Sequence, residues 1–211
     1  MPPKTEFSRD AILAAGIKVV REQGWEQLSA RSIAGELRSS TRPVYTGFSS
    51  MQELKDLIGR QVYEMLLDYQ FRPITGHPFL DMGVGYVLFA RDEPSLFRLF
   101  YLPHIISFDL EQELRDKVNA RLLGQMKEEP EAPKLSDEGA ASLLLRLKIF
   151  THGLACYIAA GKYEFGVEEI VSLISAAGRA FFLDEMQGSG EKCEASDSVY
   201  CRNNNPGDTH E

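Results

Sequence analysis

The sequence predicts an all-α protein: an N-terminal three-helix head containing a helix-turn-helix, followed by a larger helical domain. Three observations carry this. Apolar residues recur at helical spacing in one segment after another. Serines stand where helices begin, at Ser8, Ser29, Ser50 and Ser136. Proline and glycine clusters fall between the periodic segments. The expected division is a head over residues 1–58, a body over 59–186 and a disordered polar tail over 187–211.

Residues 1–7 read as a polar arm that brings Lys4 within reach of a phosphate. Ser8 caps a helix carrying Ile12, Ala15, Val19 and Val20, which Gly24 ends. Trp25 is expected in the core between the head helices. Ser29 then caps a short helix with Ile33, Ala34 and Leu37 on its apolar side, and Arg38-Ser39-Ser40 interrupts it. Ser40 is expected to cap a second short helix running to about Phe48, with Val44 and Phe48 turned inward. That leaves Thr41, Arg42, Tyr45 and Thr46 on a face a core does not need. Two short helices joined by a brief turn, the second rich in exposed hydrogen-bonding groups, suit the DNA major groove.

In Ser50-Met51-Gln52-Glu53, Ser50 caps a new helix and Glu53 is expected to return to the Ser50 N–H. Leu54, Leu57, Ile58, Val62, Met65, Leu66 and Tyr69 extend its stripe to about residue 70, long enough to join head to body. After Pro73, Gly76 and Pro78, a helix from about Phe79 stops at Asp92-Glu93-Pro94, and a short one ends before Pro103. A mostly polar helix follows, with Leu114, Val118, Leu122 and Met126 at i+4. Two final helices, 137–160 and 167–186, are apolar on more than one face and dotted with small residues. Such surfaces suit a symmetric four-helix interface, for which Ala155, Ala159, Ile170, Ile174, Ala177 and Phe181 are the candidates.

Composition narrows the function. The chain of 211 residues carries a net charge of −8. Residues 1–60 hold nine Lys/Arg against seven Asp/Glu, while the remainder holds fourteen against twenty-four. A weakly basic head on an acidic body orients which end meets DNA. No apolar run is expected to span a membrane and no signal-peptide pattern opens the chain, so a cytoplasmic setting is expected. The spacing of Cys193, Cys201 and His210 fits no common metal site, and no cofactor is expected. Phosphate loops, paired cysteines and a defensible nucleophile–base pair are missing from the pattern, so an enzyme is not expected.

Residues 9–58 resemble the DNA-binding domain of the TetR family of bacterial transcriptional regulators. The likeness runs through Ala11-Ile12-Leu13-Ala14-Ala15, Gly24-Trp25, Ser29, Ile33-Ala34, Val44-Tyr45, Phe48 and Glu53-Leu54. There are two departures. Arg38 stands where the family usually has glycine, which implies either a turn free of positive φ or mild strain. Met51 stands where a lysine usually opens the next helix, removing a phosphate contact. The resemblance implies a homodimer on palindromic double-stranded DNA, commonly a repressor released by a small molecule. Arg42 is the expected base reader, since a guanidinium binds guanine O6 and N7 together. Tyr45 and Thr46 are expected on phosphates, as are Arg31 and the backbone near Ser29, with Ser40, Thr41 and Pro43 completing the contact segment.

Residues 89–100 also resemble a segment common in the ligand-binding halves of such proteins. Tyr86, Phe89, Phe97, Phe100 and Tyr101, with His104 and His152, either line a pocket for a small apolar or aromatic effector or form ordinary core. The alternative reading is a helical ligand-binding or interaction protein that has lost sequence-specific DNA binding.

Overall fold

Ser8 opens the first helix by accepting the Ala11 N–H at 3.1 Å, and α1 runs Arg9–Gln23 before Gly24 turns the chain at φ 88°. The computed structural model describes residues 7–130 and 135–188; Lys4, Cys193, Cys201, His210 and most of the expected tail lie outside them. A short 3-10 turn, Trp25–Gln27, buries Trp25 as expected. The head continues with α2 (Ala30–Glu36) and α3 (Arg42–Gly47). The body comprises α4 (Met51–Gln70), α5 (Pro78–Asp92), α6 (Pro94–Phe97), α7 (Phe108–Glu128), α8 (Asp137–Ala159) and α9 (Val167–Gly188), with a 3-10 turn at Arg98–Phe100. Among the described residues there is no strand. The fold is all-α.

One core runs through the molecule. Ile12, Val20, Ile33, Leu54 and Ile58 pack the head, and the same cluster continues through Val62, Leu66, Val87 and Phe89 into the body. Helix α4 is the shared beam, touching α1 at one end and α5 at the other. At its far end Gly85 of α5 lies on the backbone of α4: a Cβ there would sit 2.3 Å from the Tyr69 carbonyl oxygen. The connecting loop hangs on buried Asp81, which accepts the Thr75 hydroxyl (2.6 Å) and the N–H groups of Thr75 (2.8 Å) and Ile74 (3.1 Å). Burial disfavours that charge, but the hydrogen bonds outweigh it and hold the carboxyl below its ordinary range.

Three expectations need correction. Ser40 does not cap α3; Thr41 occupies that position without a side-chain hydrogen bond. Pro43 stands, as expected, in the first turn, where its missing N–H leaves no bond broken. At α4, Ser50 caps as expected, but the Glu53 carboxylate reaches Ser49 N–H (2.6 Å) and Oγ (2.7 Å), one residue earlier than the expected box. Lastly, α8 is by length and composition apolar enough to cross a membrane, contrary to the expectation that no run is. Only 22 % of its apolar window is buried within the chain. Most of the rest of α8 is half-buried, and its mid-helix Arg146 and Lys148 reach Asp184 and Asn119 of this same chain.

The turn after α2 resolves the Arg38 question. Arg38 adopts φ 50°, with its N–H on the Gly35 carbonyl (3.1 Å) and the Ser39 N–H on Ala34 (2.9 Å). This is a Schellman turn with an arginine where glycine is usual, so the strain reading is correct. A left-handed L-residue costs about 1–2 kcal/mol, and the entropy of glycine returns about 0.5–1 kcal/mol of that. Arg38→Gly is therefore expected to raise stability by about 0.5–1 kcal/mol, or roughly 1–4 °C in Tm by thermal unfolding. A lowered midpoint would show that the Arg38 side chain makes a compensating contact.

Candidate nucleic-acid interface and ligand cavity

The head's interface is built around α3, which α1 and α4 hold from behind. Arg9 donates to the last α3 carbonyl, Gly47 O, at 2.6 Å, pairs with Glu53 at 2.7 Å and lies over the Phe48 ring. Glu53 thus binds α1, the α3–α4 turn and α4 together. Hydrogen bonds from Ser49 and then Arg9 hold its carboxyl down at about 2. A depressed carboxyl adds stability above its unfolded pKa, and that stability is lost as pH falls through the folded value. The Glu53 contribution is therefore expected to disappear between about pH 4.5 and 2. In an NMR titration of wild type against Glu53→Gln, the head of the variant should lack this acid-sensitive step. A head that loosens identically in both would contradict the assignment.

On the opposite side, Arg42, Tyr45 and Thr46 are exposed and Thr41 is half-buried, while Val44 and Phe48 are buried. Tyr45 is 66 % exposed, more than packing requires of a tyrosine. The Thr46 hydroxyl is less available than expected. It donates back to the Arg42 and Pro43 carbonyls at 3.1 Å each, so a phosphate would have to draw that proton away. Ser29 is also more committed than expected. It forms a reciprocal box with Ser32, each backbone N–H bonded to the other's hydroxyl, at 3.0 and 3.1 Å. The N–H groups of Ala30 and Arg31 remain at the positive end of α2.

Charge pairing divides the head's described cations, and Lys55 on α4 falls with those that have no ion pair. Lys18 pairs with Glu36, Arg21 with Glu93 and Arg9 with Glu53. Exposed Arg31, Arg38 and Arg42 have no carboxylate at ion-pair distance among the described residues. Of these, Arg38 was not foreseen as a candidate; its signal was the exposed turn beside two other arginines.

The body encloses a cavity of about 1000 Å³ among α4, α5, α7, α8 and α9. Tyr86, Phe100, Tyr101 and His152 line it as expected. Phe89, Phe97 and His104 do not. The two phenylalanines are wholly buried in the aromatic core behind the wall, with Phe97 edge-on to Tyr86 at 5.3 Å and Phe89 edge-on to Tyr69 at 5.4 Å. His104 sits exposed in a left-handed turn at φ 61°. The Tyr86 hydroxyl and His152 Nδ1 are 2.8 Å apart, and burial lowers the His152 pKa and raises that of Tyr86, so both are neutral near pH 7. Gln70, Asn119, Lys148 and Arg179 also line the cavity and were not foreseen. Gln70 falls four residues after Leu66 on the stripe of α4, which was the available signal.

The small-residue stripe of the last two helices also needs correction. Ala155, Ile170 and Ile174 are at most 5 % exposed inside their own chain, and Ile174 lines the cavity. Half-buried Phe181 packs edge-on against Phe150, and Ala159 and Ala177 are half-buried. The densest stripe is the one a helix uses for its own core. The uncovered surface is a second stripe: Leu145 and Ile149 on α8, Leu173 and Leu183 on α9, with Ala176 and Ala180 between them.

No protein-family model matches the sequence, and no curated protein does. Solved structures do match. A TetR family transcription regulator from Marinobacter aquaeolei VT8 superposes with a TM-score of 0.62 at 16 % identity, covering 82 % of this chain and 94 % of that one. The chain has the TetR-like fold. Within this fold, the flavonoid-responsive regulator FrrA matches at 23 % identity and a TM-score of 0.55 over 83 % of this chain and 95 % of its own. A TetR variant from Acinetobacter baumannii AYE in complex with minocycline matches at 11 % identity and 0.51, over 92 % and 98 %. The TetR-like fold places α3 at one end of the chain and the cavity at the other, with α4 between them.

Proposed function

We propose that the protein is a transcriptional regulator that binds palindromic double-stranded DNA as a homodimer and changes affinity when a small molecule fills the cavity. The observation that carries the DNA reading is the set of three exposed arginines, Arg31, Arg38 and Arg42, around an exposed α3, with no ion-pair partner among the described residues. Arg42 reads a base edge. Arg31, with the free N–H groups at the start of α2, and Tyr45 hold phosphates, while Thr41 and Pro43 shape the contact and Ser40 joins it to the turn. In a dimer, two such heads sit about 34–36 Å apart, or at a multiple of that, to reach successive grooves. The setting is cytoplasmic, where bacterial DNA lies.

Arg42→Ala is expected to weaken the preferred site by about 1–3 kcal/mol, roughly 5–150-fold, and to relax preference at one base position. Arg31→Ala should instead weaken all sequences alike and flatten the slope of log affinity against log salt by about 0.9. Quantitative binding to the preferred and to scrambled duplexes over a salt series separates the two. An equal loss on every duplex for Arg42→Ala would reduce it to a phosphate contact.

The effector reading rests on the cavity, whose size suits a small ligand, and on the ligand chemistry named for two neighbours of the same fold. The cavity has a mechanical link to the head. Phe100 in its wall follows Arg98, which pairs with Glu26, and Glu93 at the start of α6 grips Arg21 of α1 through two bonds of 2.8 and 2.9 Å. A ligand that moves this corner shifts the head only if it favours one head position over another. Commonly in such regulators the ligand-bound state releases DNA, and repression relieved by ligand is the direction proposed here.

A further inference from the structure

The cavity's polar groups restrict what it takes. Its wall carries three cationic side chains, Arg115, Lys148 and Arg179, against two acidic ones, Glu111 and Glu129. Arg115 is neutralised by Glu111 one helical turn away. Lys148 is half-buried and its Nζ is held at 2.6 Å by a neutral acceptor, Asn119 Oδ1, with no carboxylate at ion-pair distance among the described residues. A charge half out of water with only an amide for company gains from a carboxylate, and a charge-assisted bond is about twice as strong as a neutral one. Exposed Arg179, also without a carboxylate partner among the described residues, adds positive potential at the rim. The neutral imidazole of His152 leaves Lys148 as the wall's half-buried cation.

Gln70 adds nothing to this: it is 4 % exposed, its amide donates to the Met82 carbonyl at 3.2 Å, and its Oε1 is itself buried, out of reach of a molecule in the cavity. The rest of the wall is predominantly aliphatic and aromatic, including Leu66, Phe100, Leu114 and Phe182.

Accepting the cavity as the effector site, we propose that its ligand is an amphipathic carboxylic acid, whose carboxylate pairs with Lys148 while its hydrocarbon or ring system covers the apolar wall. Neutral molecules of the same size meet the wall equally well but leave the ammonium on Asn119 alone.

The test is calorimetric titration of the full chain with two matched probes, dodecanoate and its methyl ester. The acid is expected to bind about tenfold tighter than the ester or more. Lys148→Met should erase the acid–ester difference while still binding the ester, which also shows that the cavity is folded. Equal binding of acid and ester by wild type, unchanged acid binding by Lys148→Met, or no binding of any probe at millimolar concentration would overturn the proposal. The readout is independent of DNA. Tight acid binding that leaves DNA affinity unchanged would sink the regulatory switch and leave the ligand class standing.

Discussion

Leu145→Asp combined with Ile149→Asp is expected to turn a dimer into a folded monomer and to cut affinity for a palindromic site by roughly 100-fold or more. Leu145 is 58 % and Ile149 65 % exposed, four residues apart on α8, and neither supports the monomer's core. On α9, Leu183 is 58 % exposed, beside the small Ala180 and Ala176, which let a second pair of helices approach closely. Two aspartates set into this face meet their symmetry mates across an isologous interface, where both desolvation and like charge oppose association. The loss on DNA follows from linkage: two tethered heads exceed one by factors of about 10² to 10⁴ in affinity. Sedimentation and DNA binding of the same preparation check both halves. A variant that stays dimeric would move the interface elsewhere, and a monomer that binds the palindrome as tightly as wild type would remove the need for a dimer.

Gly85→Ala is expected to be the most damaging single methyl group that can be added to the chain. The added Cβ would lie 2.3 Å from the Tyr69 carbonyl oxygen, 2.6 Å from its carbon and 2.7 Å from Gln70 Cα. All three are backbone atoms near the end of α4, so no rotamer change relieves the clash and α5 must move off α4. Overpacking typically costs about 1–3 kcal/mol, and this rigid case is expected at or above the upper end, a Tm drop of at least about 6 °C. The shift also carries Gln70 out of the cavity wall. Gly83→Ala, two residues away, serves as the control. Its Cβ would meet Ile174 Cγ2 at an ordinary 3.6 Å, and little change in Tm is expected. Equal stability of the two variants would show that the α4–α5 crossing is looser than its geometry.

Much of this was legible in the sequence because helices announce themselves locally. Ser8, Ser29, Ser50 and Ser136 each cap a helix as read. The exposed Arg42 and Tyr45 followed from the inward spacing of Val44 and Phe48. What periodicity does not encode is which neighbour a stripe meets. Ile170 and Ile174 are apolar in the right rhythm for an interface, yet they bury against their own chain, and the weaker stripe through Leu173 and Leu183 is left uncovered. The same limit applied to the cavity. Phe89 and Phe97 are as aromatic as Phe100, and only tertiary packing puts one in the wall and the other two behind it. Capping registers shift by single residues for a similar reason. Glu53 serves Ser49 because Arg9 pins its other oxygen, and Arg9 arrives from 44 positions away. A polar residue such as Lys148 acquires meaning only when the apolar walls around it close.

Selection of bound sequences from random duplex DNA at moderate salt decides whether a paired head reads sequence. The expected result is an enriched palindrome whose half-sites are separated by about one helical turn or a multiple of it. That enrichment should vanish with the Leu145→Asp and Ile149→Asp double variant and lose one base position with Arg42→Ala. A flat distribution from folded, dimeric wild-type protein, with and without a cavity-bound carboxylic acid, would contradict this reading and favour a helical ligand-binding protein that no longer reads DNA.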